Sequence, residues 1–120
     1  LHVGEQERIQ LSRPQREILT WMDDAELRGV LLSYDPRLNY LAPAYSGVRP
    51  YVGHLNNTPE IRTRWSEVAA WQQAGKTGPW FDRVDYLLID RRNPPAYNWS
   101  GWRELHRNDD YLIFGRPSKP

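Results

Sequence analysis

The residues able to do chemistry in this chain are few, and their spacing narrows what they can do. His54 could exchange protons with Asp35 or Asp90 as its orienting partner, but one such pair does not make a constellation, and no serine nearby sits in a nucleophile-elbow pattern. The plainer alternative is a histidine beside a turn that bonds the backbone. His2, His54 and His106 lack the spacing of metal ligands. The absence of Cys removes disulfides, thiolate zinc sites and thiol catalysis. Asp23 and Asp24 are neighbours on a helix, so their side chains diverge by about 100° and do not form a metal pair. Neither a dinucleotide glycine fingerprint nor a P-loop occurs. No catalytic residue, metal or cofactor is therefore assigned.

Two sets suit binding instead. Asp35, Asn39, Tyr40, Arg49, His54, Asn56, Asn57, Asp90, Arg91 and Arg92 fall in or beside the segments expected to follow strands. There they offer hydrogen bonds fit for sugar hydroxyls or a phosphate. Loop polarity alone is the competing explanation. Trp80, Trp99 and Trp102 lie in Pro/Gly-rich surroundings where ring faces could stack on sugar, or could instead lie as lids over a thin core. Trp21 and Trp65 fall on or beside helix stripes and read as core.

The elements that must position these residues follow from periodicity and punctuation. Residues 1–11 show no period and read as a linker, leaving 12–120 as a single α/β domain. Ser12 with Gln15 forms a capping-box pair, Pro14 is tolerated in the first turn, and Ile18, Leu19 and Met22 make an apolar stripe ending near Leu27. The run Val30–Tyr34 reads as a strand buried on both faces. Asp35-Pro36 opens a short helix that Pro43 and Gly47 are expected to close, and Pro50–Gly53 reads as a second strand. Thr58 is the expected cap of the next helix, with Ile61, Trp65, Val68 and Ala69 as its buried face and Gly75 as its stop. Tyr86–Ile89 is the clearest strand. The pieces 102–106 and 111–114, joined across Asn108-Asp109-Asp110, read as an antiparallel hairpin. Strands alternating with helices predict a small α/β sandwich with a partly parallel sheet, helices on its faces and a C-terminal antiparallel hairpin.

Composition sets the outer bounds. The chain has 120 residues, 39 % hydrophobic and 26 % charged, with a net charge of +1, the profile of one globular domain. Nothing in that balance calls for nucleic acid. The two halves carry −2 and +3, a mild polarity that could orient the domain on a partner. The longest uncharged stretch, 38–48, is broken by Pro43 and Gly47 and falls short of the ~20 apolar residues that span a membrane. The chain begins with Leu and shows no signal peptide, so it reads as a piece of a longer polypeptide. Basic residues are mostly Arg, fourteen against two Lys.

The order of Asn39, Leu41, Pro43, Ser46-Gly47, Arg49, Tyr51, Gly53-His54 and Thr58-Pro59 carries a further signal. This pattern, G-x-R-x-x-x-G-H-x-x-x-T-P from Gly47, resembles the C-terminal soluble region of bacterial multi-pass glycosyltransferases of the GT-C type, similar to mannosyltransferases that use polyprenyl-phosphate sugars. The likeness covers roughly residues 12–90, including the strand Val84–Asp90. It implies a noncatalytic extracytoplasmic domain on the periplasmic side of the bacterial cytoplasmic membrane. Its partners would be the membrane domain of the same polypeptide and a glycan or lipid-linked sugar, and the acidic catalytic residues would lie elsewhere in the parent. Two alternatives stand beside this: a carbohydrate-binding or protein-docking module that works alone, and a small soluble hydrolase using His54.

Overall fold

Local chemistry sets the first helix in a computed structural model that describes residues 10–53 and 60–117. The Ser12 hydroxyl accepts the Gln15 N–H, and the Gln15 side chain accepts the Ser12 N–H, so two orphan donors are satisfied reciprocally. Helix α1 (Arg13–Asp24) buries Ile18, Leu19 and Met22. Strand β1 (Arg28–Leu32) leads to helix α2 (Pro36–Tyr45), then β2 (Gly47–Pro50) and helix α3 (Ile61–Ala74). A 3-10 turn (Pro79–Arg83) precedes β3 (Tyr86–Asp90), and β4 (Arg103–Arg107) and β5 (Tyr111–Gly115) close the chain.

The five strands form one sheet in the order β2-β1-β3-β5-β4. β1 pairs in parallel with both β2 and β3, whereas β3–β5 and β5–β4 are antiparallel. The partly parallel α/β sheet with an antiparallel C-terminal hairpin is thus the expected class. Side chains alternate across it. Leu31, Val48, Leu88, Tyr111 and Ile113 pack with α1 and α2 on one face. Leu32, Leu87, Ile89 and Phe114 pack with Val68, Trp71 and Phe81 on the other. Gln10 and Leu11 already belong to this body: the Gln10 carbonyl accepts from Arg37 and Leu11 packs on the first cluster.

Several boundaries differ from expectation. The second strand is Gly47–Pro50, not Pro50–Gly53, because Gly47 to Pro50 register against Arg28 to Leu31, and the Tyr51 N–H on the Leu31 carbonyl at 2.8 Å is the bond that follows them. The first strand likewise begins at Arg28 and ends at Leu32. Helix α2 does not close at Pro43: proline removes one N–H from the ladder, and the helix runs on to Tyr45, where both the N–H and hydroxyl of Ser46 donate to the Ala42 carbonyl. On α3 the buried residues are Val68, Trp71 and Gln72, while Ile61, Trp65 and Ala69 are only partly covered. The reason is tertiary: the loop after β3 folds back so that the Ala96 N–H donates to the Gln72 carbonyl and Tyr97 packs on Trp71. Gly75 ends α3 at φ 68°, as its position implied. The Thr58 cap lies outside the described residues.

Among the described residues, no helix is long and apolar enough to cross a membrane.

Candidate functional site

From β1 the chain moves to β2 on one side, and later to β3 on the other, with α2 and α3 on opposite faces. The carboxyl ends of β1 and β3 therefore flank a topological switch point, where connecting loops diverge and leave a crevice. A cavity of about 320 Å³ lies there, lined by Ser33, Tyr34, Asp35, Pro36, Gln72, Leu88, Asp90, Asn93 and Tyr111.

Each polar lining group is positioned by a local rule. Asp35 caps α2: its Oδ1 accepts the N–H groups of Arg37 and Leu38 at 3.0 and 3.2 Å. Its Oδ2 accepts the Tyr111 hydroxyl at 3.3 Å. Burial first, and the Asp35 charge second, push the Tyr111 phenol up to about 12, so it remains a donor through the ordinary pH range. Asp90 ends β3 and takes a two-point contact from Arg92, at 3.0 and 3.1 Å. That contact and the Asp90 charge hold the Arg92 guanidinium above its usual range. Gln72, 8 % exposed, donates to the Asn93 carbonyl at 2.8 Å and ties α3 to the loop after β3. The Ser33 hydroxyl, 3 % exposed, accepts the Asp35 N–H.

The structure divides the sequence-derived binding set. Asp35 and Asp90 meet in the crevice. Asn39 is 2 % exposed and does not line the crevice: its Nδ2 donates to the Ser33 carbonyl at 2.9 Å, which steadies the crevice wall. Arg91 and Arg92 turn to the β4–β5 turn, Arg91 onto the Asn108 carbonyl and Arg92 onto Asp90 and Asp110. Tyr40 and Arg49 line a separate groove of about 1010 Å³ beside the edge strand β2, with Arg64, Arg83 and Asp85. Among the described residues three guanidiniums against one carboxylate make that wall net positive, the opposite of the crevice. His54, Asn56 and Asn57 lie outside the described residues.

Trp80, Trp99 and Trp102 sit on the α3-side core. Trp80 stacks on Tyr51 at 5.0 Å between ring centroids, and Trp99 packs on Phe114. Trp102 donates to the Tyr97 hydroxyl at 3.0 Å, and Arg116 lies 4.7 Å over its ring. All three remain partly exposed. Tyr51 donates its hydroxyl to Glu67, and burial and that carboxylate push its phenol up to about 12. His106 stacks on Trp21 at 4.6 Å and bonds Glu17, which also accepts from Asn108, so it fastens α1 to β4.

Sequence reasoning missed Ser33, Tyr34, Gln72, Asn93 and Tyr111 as crevice residues. Gln72 carries a readable signal, a polar residue four positions after Val68 on the buried side of α3. Tyr111, at the head of an apolar strand, carries none. Among the described residues no group of three or more His, Asp or Glu could hold a metal ion. No protein family, curated protein or solved structure matches this chain.

Proposed function

We propose that this chain is a noncatalytic accessory domain of an integral-membrane glycosyltransferase, placed on the extracytoplasmic face of a bacterial cytoplasmic membrane. There it packs on the membrane domain of its own polypeptide and helps position a glycan or acceptor. The observation that carries this reading is the ordered pattern beginning at Gly47. What supports it is the use of the pattern's described residues: Asn39, Leu41, Pro43, Ser46, Gly47, Arg49 and Tyr51 occupy one continuous stretch of α2, β2 and the exit from β2 at a sheet edge. Their roles there are architectural or surface-directed. The two crevice carboxylates are engaged, Asp35 in a helix cap and Asp90 with Arg92, which suits holding a ligand better than moving a proton.

The full reading frame tests the proposal. It should encode several apolar segments of about 20 residues in the same polypeptide as this domain. Excising residues 10–117 from that parent should lower sugar transfer from a polyprenyl-phosphate donor in isolated membranes, while the excised domain alone transfers none. A reading frame without such segments overturns the proposal.

A further inference from the structure

The switch-point cavity has a chemistry of its own, and it selects among ligands. Among the described residues no cationic side chain lines it, and Arg92, which lies 5.8 Å over the Tyr111 ring, is engaged by Asp90 and Asp110. Asp35, which no cation pairs among the described residues, repels phosphate and carboxylate groups, and Asp90, already held by Arg92, leaves no free cation to draw them in. Neither carboxylate is a bare charge that would hold a cation. Asp35 already accepts two backbone N–H groups and a phenol, and Asp90 is matched by a guanidinium.

What the cavity offers is directional. Both carboxylates keep lone pairs for hydroxyl donors. Among the described residues the Asn93 side-chain amide has no partner, and the Ser33 hydroxyl accepts without donating. Tyr34, Pro36 and Leu88 also line the cavity and bring apolar surface to it. A volume of about 320 Å³ suits one ring-sized ligand rather than a chain of them.

We infer that the crevice between the carboxyl ends of β1 and β3 binds one neutral, hexose-sized polyol. Its hydroxyls donate to Asp35 and Asp90 and pair with Asn93 and Ser33, and its C–H face lies against Tyr34, Pro36 and Leu88. The inference rests on the proposed accessory role only for the origin of the sugar.

The test is titration of the 120-residue chain with a methyl hexoside, followed by amide chemical shifts. Saturable shifts are expected at Ser33, Asp35 and Asn93. The charged analogues hexose 6-phosphate and choline should move those amides less at equal concentration. Asn93→Ala removes an unpartnered amide, leaves the fold intact and should weaken the hexoside about 10-fold. No saturable shift up to about 100 mM hexoside, stronger binding of either charged analogue at the same amides, or unchanged affinity in Asn93→Ala overturns the inference. The two readings fail separately. A silent titration beside a membrane-spanning reading frame removes only the polyol site. Hexoside binding in a reading frame without apolar segments removes only the glycosyltransferase assignment.

Discussion

Replacing Tyr111 with Phe should destabilise this domain near neutral pH and cease to do so in alkali. The ring is fully buried, and its hydroxyl donates to Asp35 at 3.3 Å. At that length the hydrogen bond contributes about 0.5–1 kcal/mol, so Tyr111→Phe should lose that amount at about pH 8. Alkali reverses the balance. The phenol titrates near 10 in the unfolded chain and is pushed up to about 12 in the fold. A raised acid keeps its contribution below the unfolded value and loses it as pH climbs between the two. At about pH 11 that linkage amounts to about 1.4 kcal/mol, which solvent reaching the open crevice reduces to about 1 kcal/mol. The variant has no phenol to ionise and escapes this loss. Tyr51, raised for similar reasons, is present in both proteins and cancels in the difference. Urea unfolding at both pH values reads the effect directly. Wild type should be the more stable at about pH 8, and the two should converge or invert at about pH 11. An equal gap at both pH values would refute the raised Tyr111 phenol, and no gap at about pH 8 would refute the contribution of its bond to Asp35.

Arg116→Ala should cost about 2–4 kcal/mol, because its guanidinium donates to the Val84 and Phe81 carbonyls and lies over the Phe81 and Trp102 rings. Thermal unfolding should show a Tm lower by roughly 10 °C, and a change within about 2 °C would remove Arg116 as the clamp between the 3-10 turn and Trp102. Gly75→Ala places a side chain at φ 68° with the Ala96 carbonyl 3.2 Å from the new Cβ, and should cost about 1–2 kcal/mol in urea unfolding. Gly101→Ala, whose Cβ would meet nothing within 4 Å, should leave the urea midpoint in place.

Much of the fold was legible because it is written in short-range terms. The Ser12–Gln15 box, the Asp35-Pro36 helix start, the Gly75 stop and the Tyr86–Ile89 strand each depend on residues a few positions apart. The errors share one cause. Pro43 and the Pro50–Gly53 segment were read by local preference, whereas sheet register against β1 and the packing of α2 decided where those elements end. The buried face of α3 shifted toward Trp71 and Gln72 because a loop more than twenty residues later closes over them.

The crevice divides along the same line. By itself the sequence determined that Asp35 and Asp90 stand at strand ends, since apolar runs followed by Asp are a local signal, and it determined the α/β class through alternation of periods. Only the tertiary structure decided that these two carboxylates share a cavity with Gln72, Asn93 and Tyr111, that Arg91 turns to the Asn108 carbonyl, and that Arg92 is taken up by Asp90 and Asp110. It also decided that Tyr40 and Arg49 face a different, positive groove. The physical reason is separation along the chain. Asp35 and Tyr111 meet across 76 positions because β1, β3 and β5 lie side by side in the sheet and Asp35 follows directly on β1, and strand order is a choice made by global packing. The sign of the crevice follows from that choice, because an arginine's charge counts at a site only once its partners are known.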